Sequence, residues 1–121
     1  MRTLQQSEHQ FQVAVCELLD IQARPDMIWF AIPNGGHRHI AVAKLMKNEG
    51  VKRGIPDLAF LMPEGRSAWL ELKVRGGRLS PDQKLFRDRA CKLGHEWGLA
   101  KTINEAITFL DWIEALKRPA R

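Results

Sequence analysis

The stretch DLAFLMPEGRSAWLELKV, residues 57 to 74, decides the fold. It reads as two β-rich runs, DLAFLM at 57 to 62 and SAWLELKV at 67 to 74, around the turn Pro63-Glu64-Gly65-Arg66, which together predict a hairpin. Strand side chains alternate, so Glu71 and Lys73 share one face while Leu70, Leu72 and Val74 point to the other. If Glu64-Gly65 makes the turn, Asp57 falls opposite residue 72, and a slip of one residue brings it beside Glu71 or Lys73. Either register gathers two carboxylates and an ammonium group at one end of the hairpin.

Working outward, Leu4, Glu8, Phe11, Val15 and Leu18 recur at helical spacing, and Glu8 is the charged exception in that apolar stripe. A capping box, either Ser7 with Gln10 or Thr3 with Gln6, starts this helix. MIWFAI, residues 27 to 32, is expected as a buried strand stopped by Pro33-Asn34-Gly35-Gly36. From His39 to Glu49, Val42, Leu45 and Met46 suit a helix that Gly50 ends. Beyond the hairpin, Ser80-Pro81-Asp82-Gln83 supplies a cap, a first-turn proline and a capping-box glutamine for a helix to Leu93, closed by Gly94. HEWGLA, residues 95 to 100, fits a strand, and Thr102 with Glu105 caps a last helix whose face is Ile103, Ile107, Leu110 and Ile113. The order α, β, α, β, β, α, β, α predicts an α/β fold, a mixed β-sheet flanked by helices.

A chain of 121 residues with 45% apolar content suits one domain with one modest core, read here as residues 1–116 followed by a flexible basic tail at 117–121. Lys and Arg number 19 against 14 Asp and Glu, for a net charge of +5. That balance favours an anionic partner such as nucleic acid, although many basic soluble proteins share it, so placement of the charge decides. Cys16 and Cys91 lie apart in apolar-periodic segments, which argues against a cysteine zinc site and reads as core thiols in a reducing compartment. No apolar run approaches the roughly 20 residues that span a bilayer, and the polar start MRTLQQSEHQ is unlike a signal peptide. No membrane partner is expected, and the expected compartment is the cytoplasm.

Two carboxylates on adjacent strands, Asp57 and Glu71, make a hard-oxygen site suited to Mg²⁺ or Mn²⁺, with the backbone carbonyl of Leu72 as a third ligand. Lys73 beside such a cation can hold a water and stabilise charge on phosphoryl oxygens, which is a phosphodiester hydrolase arrangement. Taken alone the Glu-x-Lys triplet has a bland alternative, a cross-strand ion pair worth about 0.2–1 kcal/mol. Glu8 is costly to bury in an apolar stripe unless it meets a hydrogen bond or a cation, and its alternative is an exposed place in the first helical turn, favoured by the helix dipole. Gln83 completes the Ser80 capping box whether or not it also meets substrate. Lys52-Arg53-Gly54 precedes Asp57 and Arg75-Gly76-Gly77-Arg78 follows Lys73, so both motif strands have basic, glycine-containing flanks; they read either as solvated surface loops or, as a phosphodiesterase site beside them favours, as DNA-backbone contacts by Lys52, Arg53, Arg75 and Arg78. His37 and His39 lack the further ligands of a zinc set, so the loop holding Asn34, His37 and Arg38 reads as a DNA-contacting loop or as a simply exposed one.

The stretch GVKRGIPDLAFL…AWLELKVRGGRLSPDQ, residues 50 to 83, resembles the VRR-NUC family of PD-(D/E)xK nucleases. The resemblance rests on the glycine before Pro56-Asp57, the triplet Glu71-Leu72-Lys73, Gly77 and Leu79-Ser80-x-x-Gln83, and it extends to Pro33-Asn34-Gly35-Gly36 and Glu8. It implies a restriction-endonuclease-like core and a Mg²⁺-dependent endodeoxyribonuclease in which Mn²⁺ substitutes. Asp57, Glu71 and Lys73 would be catalytic, Glu8 would reach the metal directly or through water, and Gln83 would contact the scissile phosphate or orient Lys73. Family members often carry a tyrosine in a QxxxY pattern; this chain has no tyrosine, and Phe86-Arg87 follows Gln83. Small stand-alone nucleases of this kind resemble archaeal and phage junction-resolving enzymes. That likeness implies a homodimer acting on branched DNA such as four-way (Holliday) junctions, in the cytoplasm of a bacterium or phage-infected host. The rival readings are a catalytically silent nucleic-acid-binding module and a flap, single-strand or RNA nuclease.

Overall fold

In a computed structural model the described residues are 7–33 and 40–118. Helix α1 (Glu8–Gln22) starts at Ser7, whose hydroxyl accepts from Gln10 N while the Gln10 side chain accepts from Ser7 N, both at 3.0 Å. The Ser7 box is therefore the one used, and Thr3 and Leu4 lie outside the described residues. Strand β1 (Ile28–Ala31), helix α2 (Ile40–Asn48), strands β2 (Leu58–Leu61) and β3 (Ser67–Leu72), helix α3 (Pro81–Lys92), strand β4 (Glu96–Ala100) and helix α4 (Ile103–Trp112) follow. The strands form one mixed sheet in the order β1-β2-β3-β4, antiparallel except for the β3–β4 pair, which is parallel and joined through α3.

The hairpin register is Leu58 with Leu70 through Leu61 with Ser67, so one further step sets Asp57 across from Glu71. This is the slipped register, and its cause is the turn. Met62 N donates to Arg66 O at 2.9 Å, and Glu64 and Gly65 both sit at positive φ, 65° and 75°. The reversal is thus centred on Glu64 instead of on the Glu64-Gly65 bond.

Alternation then divides the sheet. Ala68, Leu70 and Leu72 of β3 join Leu58 and Phe60 of β2 and pack against Phe11, Val15 and Leu19 of α1 and Ala106, Phe109 and Leu110 of α4. The other face carries Trp69 and Glu71, with α3 over it: Phe86 meets Trp69 edge-on at 5.4 Å, and the Arg87 guanidinium lies 5.9 Å from the centre of the Trp97 ring. Phe86 and Arg87, the residues standing where a QxxxY tyrosine would be sought, therefore hold α3 to the sheet.

Several expectations need correction. β1 is an edge strand and not a buried one, with Ile28 62% and Phe30 41% exposed, because the buried strand position falls to its neighbour β2. α2 forms where expected and ends before Gly50 (φ 93°), but Val42 and Leu45 face outward and no core cluster includes them. In α4 the buried stripe is Ala106, Phe109 and Leu110, continued by Ile113, while Ile103 and Ile107 lie at its rim. Cys16 is only half-buried against the core, and Cys91 is exposed on the outer side of α3. At the C-terminus, Lys117 N donates to Gln22 O at 2.7 Å, so paired backbone reaches Lys117; residues 119–121 of the expected tail lie outside the described residues. Among the described residues no helix is long and apolar enough to cross a membrane.

Candidate active site

Asp57 is held from both sides of the sheet. Its backbone carbonyl accepts from Ile32 N at 2.9 Å, which ties it to the end of β1, and its Oδ2 accepts from Leu72 N at 2.7 Å, which ties it to β3. Glu71 stands across from it and is buried, 3% exposed. Its Oε1 is the meeting point of the site: Gln83 Nε2 donates to it at 3.0 Å and Lys73 Nζ lies 3.7 Å away.

Lys73 keeps its place in the strand alternation because Lys73 N donates to Ala100 O at 3.0 Å and so extends the β3–β4 ladder by one rung. The chain then turns back through a Gly77 N to Val74 O bond of 2.9 Å. A Cβ at Gly77 would sit 3.3 Å from Lys73 Cβ and 3.0 Å from Val74 O, so the glycine lets this turn close over the lysine stem. Gln83 closes the expected capping box, and its remaining amide group reaches the Glu71 carboxylate, where a scissile phosphate or Lys73 is the partner that the resemblance implies. Gln83 Oε1 accepts from Ser80 N at 2.8 Å and Ser80 Oγ accepts from Gln83 N at 3.1 Å, which closes the capping box, while its Nε2 remains to reach Glu71.

Burial raises the Glu71 carboxyl to about 8, the Asp57 charge adds to that rise, and Lys73 opposes it. The Asp57 carboxyl is also raised, first by burial and then by the charge of Glu8, against the lowering effect of the Leu72 N–H. A half-buried and a buried carboxyl whose ionisation burial resists, facing each other across the hairpin with Lys73 Nζ 3.7 Å from Glu71 Oε1, are a donor pair that a divalent cation would satisfy. Among the described residues no three His, Cys, Asp or Glu side chains gather into one metal-holding group. A cation here would take these two carboxylates and fill its other positions with backbone carbonyl, water or phosphate oxygen, the usual style of Mg²⁺.

The structure brings Asp57, Glu71, Lys73 and Gln83 together. Glu8 stands apart, exposed at the first residue of α1, where its charge reaches both carboxylates without joining them. Lys52, Arg53, Arg75 and Arg78 are exposed in the loops before β2 and after β3. Asn34, His37 and Arg38 lie outside the described residues. Sequence reasoning missed the close packing of Gly54 on the start of α3, where a Cβ would lie 2.4 Å from the backbone of Asp82. A glycine in a basic loop signals a close approach, but not whether a ligand or another part of the chain makes it.

The VRR-NUC domain family model matches residues 2–102. Among solved structures, the chain is similar to one described as a VRR_NUC domain protein, with 24% identity and a TM-score of 0.65 over 89% of this chain and 88% of that one. A second, described as a VRR_NUC domain, shares 17% identity and a TM-score of 0.60 over 86% of this chain and 94% of the other. No curated protein matches the chain.

Proposed function

We propose, from the premise that this chain belongs to the VRR-NUC domain family and is a nuclease-type domain, that it is a Mg²⁺-dependent endonuclease hydrolysing DNA phosphodiester bonds. The observation that carries this reading is the convergence of Gln83 Nε2 and Lys73 Nζ on Glu71 Oε1, with Asp57 facing Glu71 across the hairpin. A solvated ion pair would not need a buried glutamate with a raised pKa and a second carboxylate beside it.

Asp57, Glu71 and the Leu72 carbonyl would hold the metal, with Mn²⁺ able to replace Mg²⁺. When bound, the metal supplies Lewis acidity toward the scissile phosphate and lowers the pKa of the attacking water. Lys73 places a positive charge next to the metal-binding edge, where it can hold that water and stabilise charge developing on the phosphoryl oxygens. Gln83 fixes the Glu71 carboxylate by its hydrogen bond. Glu8, whose charge reaches both carboxylates from the start of α1, would act through water. Lys52, Arg53, Arg75 and Arg78, with Asn34, His37 and Arg38, would hold the DNA backbone and account for most of the affinity.

The finer reading is a homodimer acting on branched DNA, four-way junctions first. Its support is an apolar strip on the carboxylate face of the sheet. Ile28 pairs with Leu61, Phe30 lies two residues along the same strand, and these three are 62%, 45% and 41% exposed. A second copy covering this strip would remove it from water and set two active sites in one assembly. Light scattering with labelled four-way junction, flap, single-strand and duplex DNA, and RNA counterparts, tests this. A dimer that cuts junctions on two strands is expected; a monomer that leaves junctions intact while cutting flaps overturns the finer reading and spares the nuclease.

A further inference from the structure

We infer that Gly54 is a positioning residue for the carboxylate site, acting through the first turn of α3 on Gln83. The inference rests on the nuclease reading above for its functional meaning, and on packing for its substance. Gly54 lies in the loop that delivers Asp57 to the site, with φ at 80°. A Cβ built there would be 2.4 Å from both the carbonyl carbon and oxygen of Asp82 and 2.8 Å from Gln83 N. These are peptide atoms inside a capped helical turn, so no side-chain rotation can relieve the overlap.

The contact joins the segment carrying Asp57 to the helix turn carrying Gln83. Ordinary carbon contacts are about 3.5–4.0 Å, so a methyl group at residue 54 would drive loop and helix apart by roughly 1 Å. The Gln83 Nε2 to Glu71 Oε1 bond is 3.0 Å long. Lengthening it by about that amount takes it past hydrogen-bonding range. Glu71 would keep Lys73 and lose the donor that fixes its rotamer. The absence of a side chain at residue 54 therefore sets the distance between the two halves of the site.

A control for backbone strain is built into the same loop. Gly50 has φ of 93°, and a Cβ there meets nothing within 4 Å. Gly50→Ala thus carries the left-handed penalty without the clash. In Gly54→Ala, Mg²⁺-dependent cleavage should fall about as far as in Gln83→Leu, and adding Gly54→Ala to Gln83→Leu should cost less than about a further twofold, since coupled residues are not additive. Gly50→Ala should cleave like wild type. A second readout needs no activity or metal: the ¹H–¹⁵N signals of the Gln83 side-chain amide, assigned by their loss in Gln83→Leu, should move in Gly54→Ala and stay in place in Gly50→Ala. Losses that multiply in the double variant, unmoved Gln83 signals, or a Gly54→Ala chain that does not fold would each overturn the positioning role. A wild-type protein that cleaves nothing would overturn the nuclease reading instead, and the amide signals would still decide the role of Gly54.

Discussion

Gln83 and Glu71, on a helix and a strand twelve residues apart, are joined by a 3.0 Å bond from an amide whose other end caps its own helix. One side chain thereby couples the start of α3 to the most buried carboxylate among the described residues. Gln83→Leu removes both functions, whereas Gln83→Glu keeps an acceptor for Ser80 N and sets a third negative group against Glu71. Both variants are expected to lose cleavage by about tenfold or more, and Gln83→Glu should melt lower than Gln83→Leu at pH 8 without metal. Ser80→Ala, which removes one cap bond, should cost about 0.5–2 kcal/mol. Single-turnover cleavage and thermal melts on the three variants check this, and Gln83→Glu melting above Gln83→Leu would contradict it.

Metal-free stability should fall with rising pH across the carboxylate window. Glu71 titrates near 4.5 when exposed and at about 8 in the fold. Between those values the folded chain holds a proton that the unfolded chain has released, so stability from this group is present below about pH 4.5 and is lost as pH climbs toward 8. The loss is on the order of a few kcal/mol. Melts in EDTA from pH 4.5 to 8.5 read this out, and Mg²⁺ should restore much of the loss at the upper end. Asp57→Asn should raise the melting temperature in EDTA at pH 8; a lowered one would mean that the carboxylates do not oppose each other.

Much of this was legible in the chain itself. Period-two alternation placed Glu71 and Lys73 on one face, and the Ser80-x-x-Gln83 and Thr102-x-x-Glu105 caps marked helix starts correctly to the residue. What was not legible was neighbourhood. MIWFAI has strand composition, but nothing in its six letters says that it takes the sheet edge, where Ile28 and Phe30 face outward. In α4 the Ile103 and Ile107 stripe is as apolar as the Ala106 and Phe109 stripe, and tertiary packing chose the second. The Asp57 register turned on the conformation of Glu64 at positive φ, which a non-glycine residue does not announce.

Metal affinity should depend on pH through the same carboxylate. Binding at Glu71 displaces its proton, so below about pH 8 the apparent Mg²⁺ or Mn²⁺ affinity should weaken by about tenfold per pH unit. Calorimetric titration without DNA between pH 6 and 9 measures it. Affinity that does not change over this range would remove Glu71 from the metal site.

The central claim is that Asp57, Glu71 and Lys73 perform hydrolysis while other residues hold the DNA. It is tested most directly by cleavage of labelled DNA in Mg²⁺ and in EDTA by wild type, Asp57→Ala, Glu71→Ala and Lys73→Ala, with binding of each measured in parallel. The expected result is metal-dependent cleavage by wild type and loss of about a hundredfold or more in each variant, with binding within a few-fold, because affinity rests on phosphate contacts elsewhere. Full cleavage by Asp57→Ala or Glu71→Ala in Mg²⁺, or undiminished cleavage by wild type in EDTA, would contradict it.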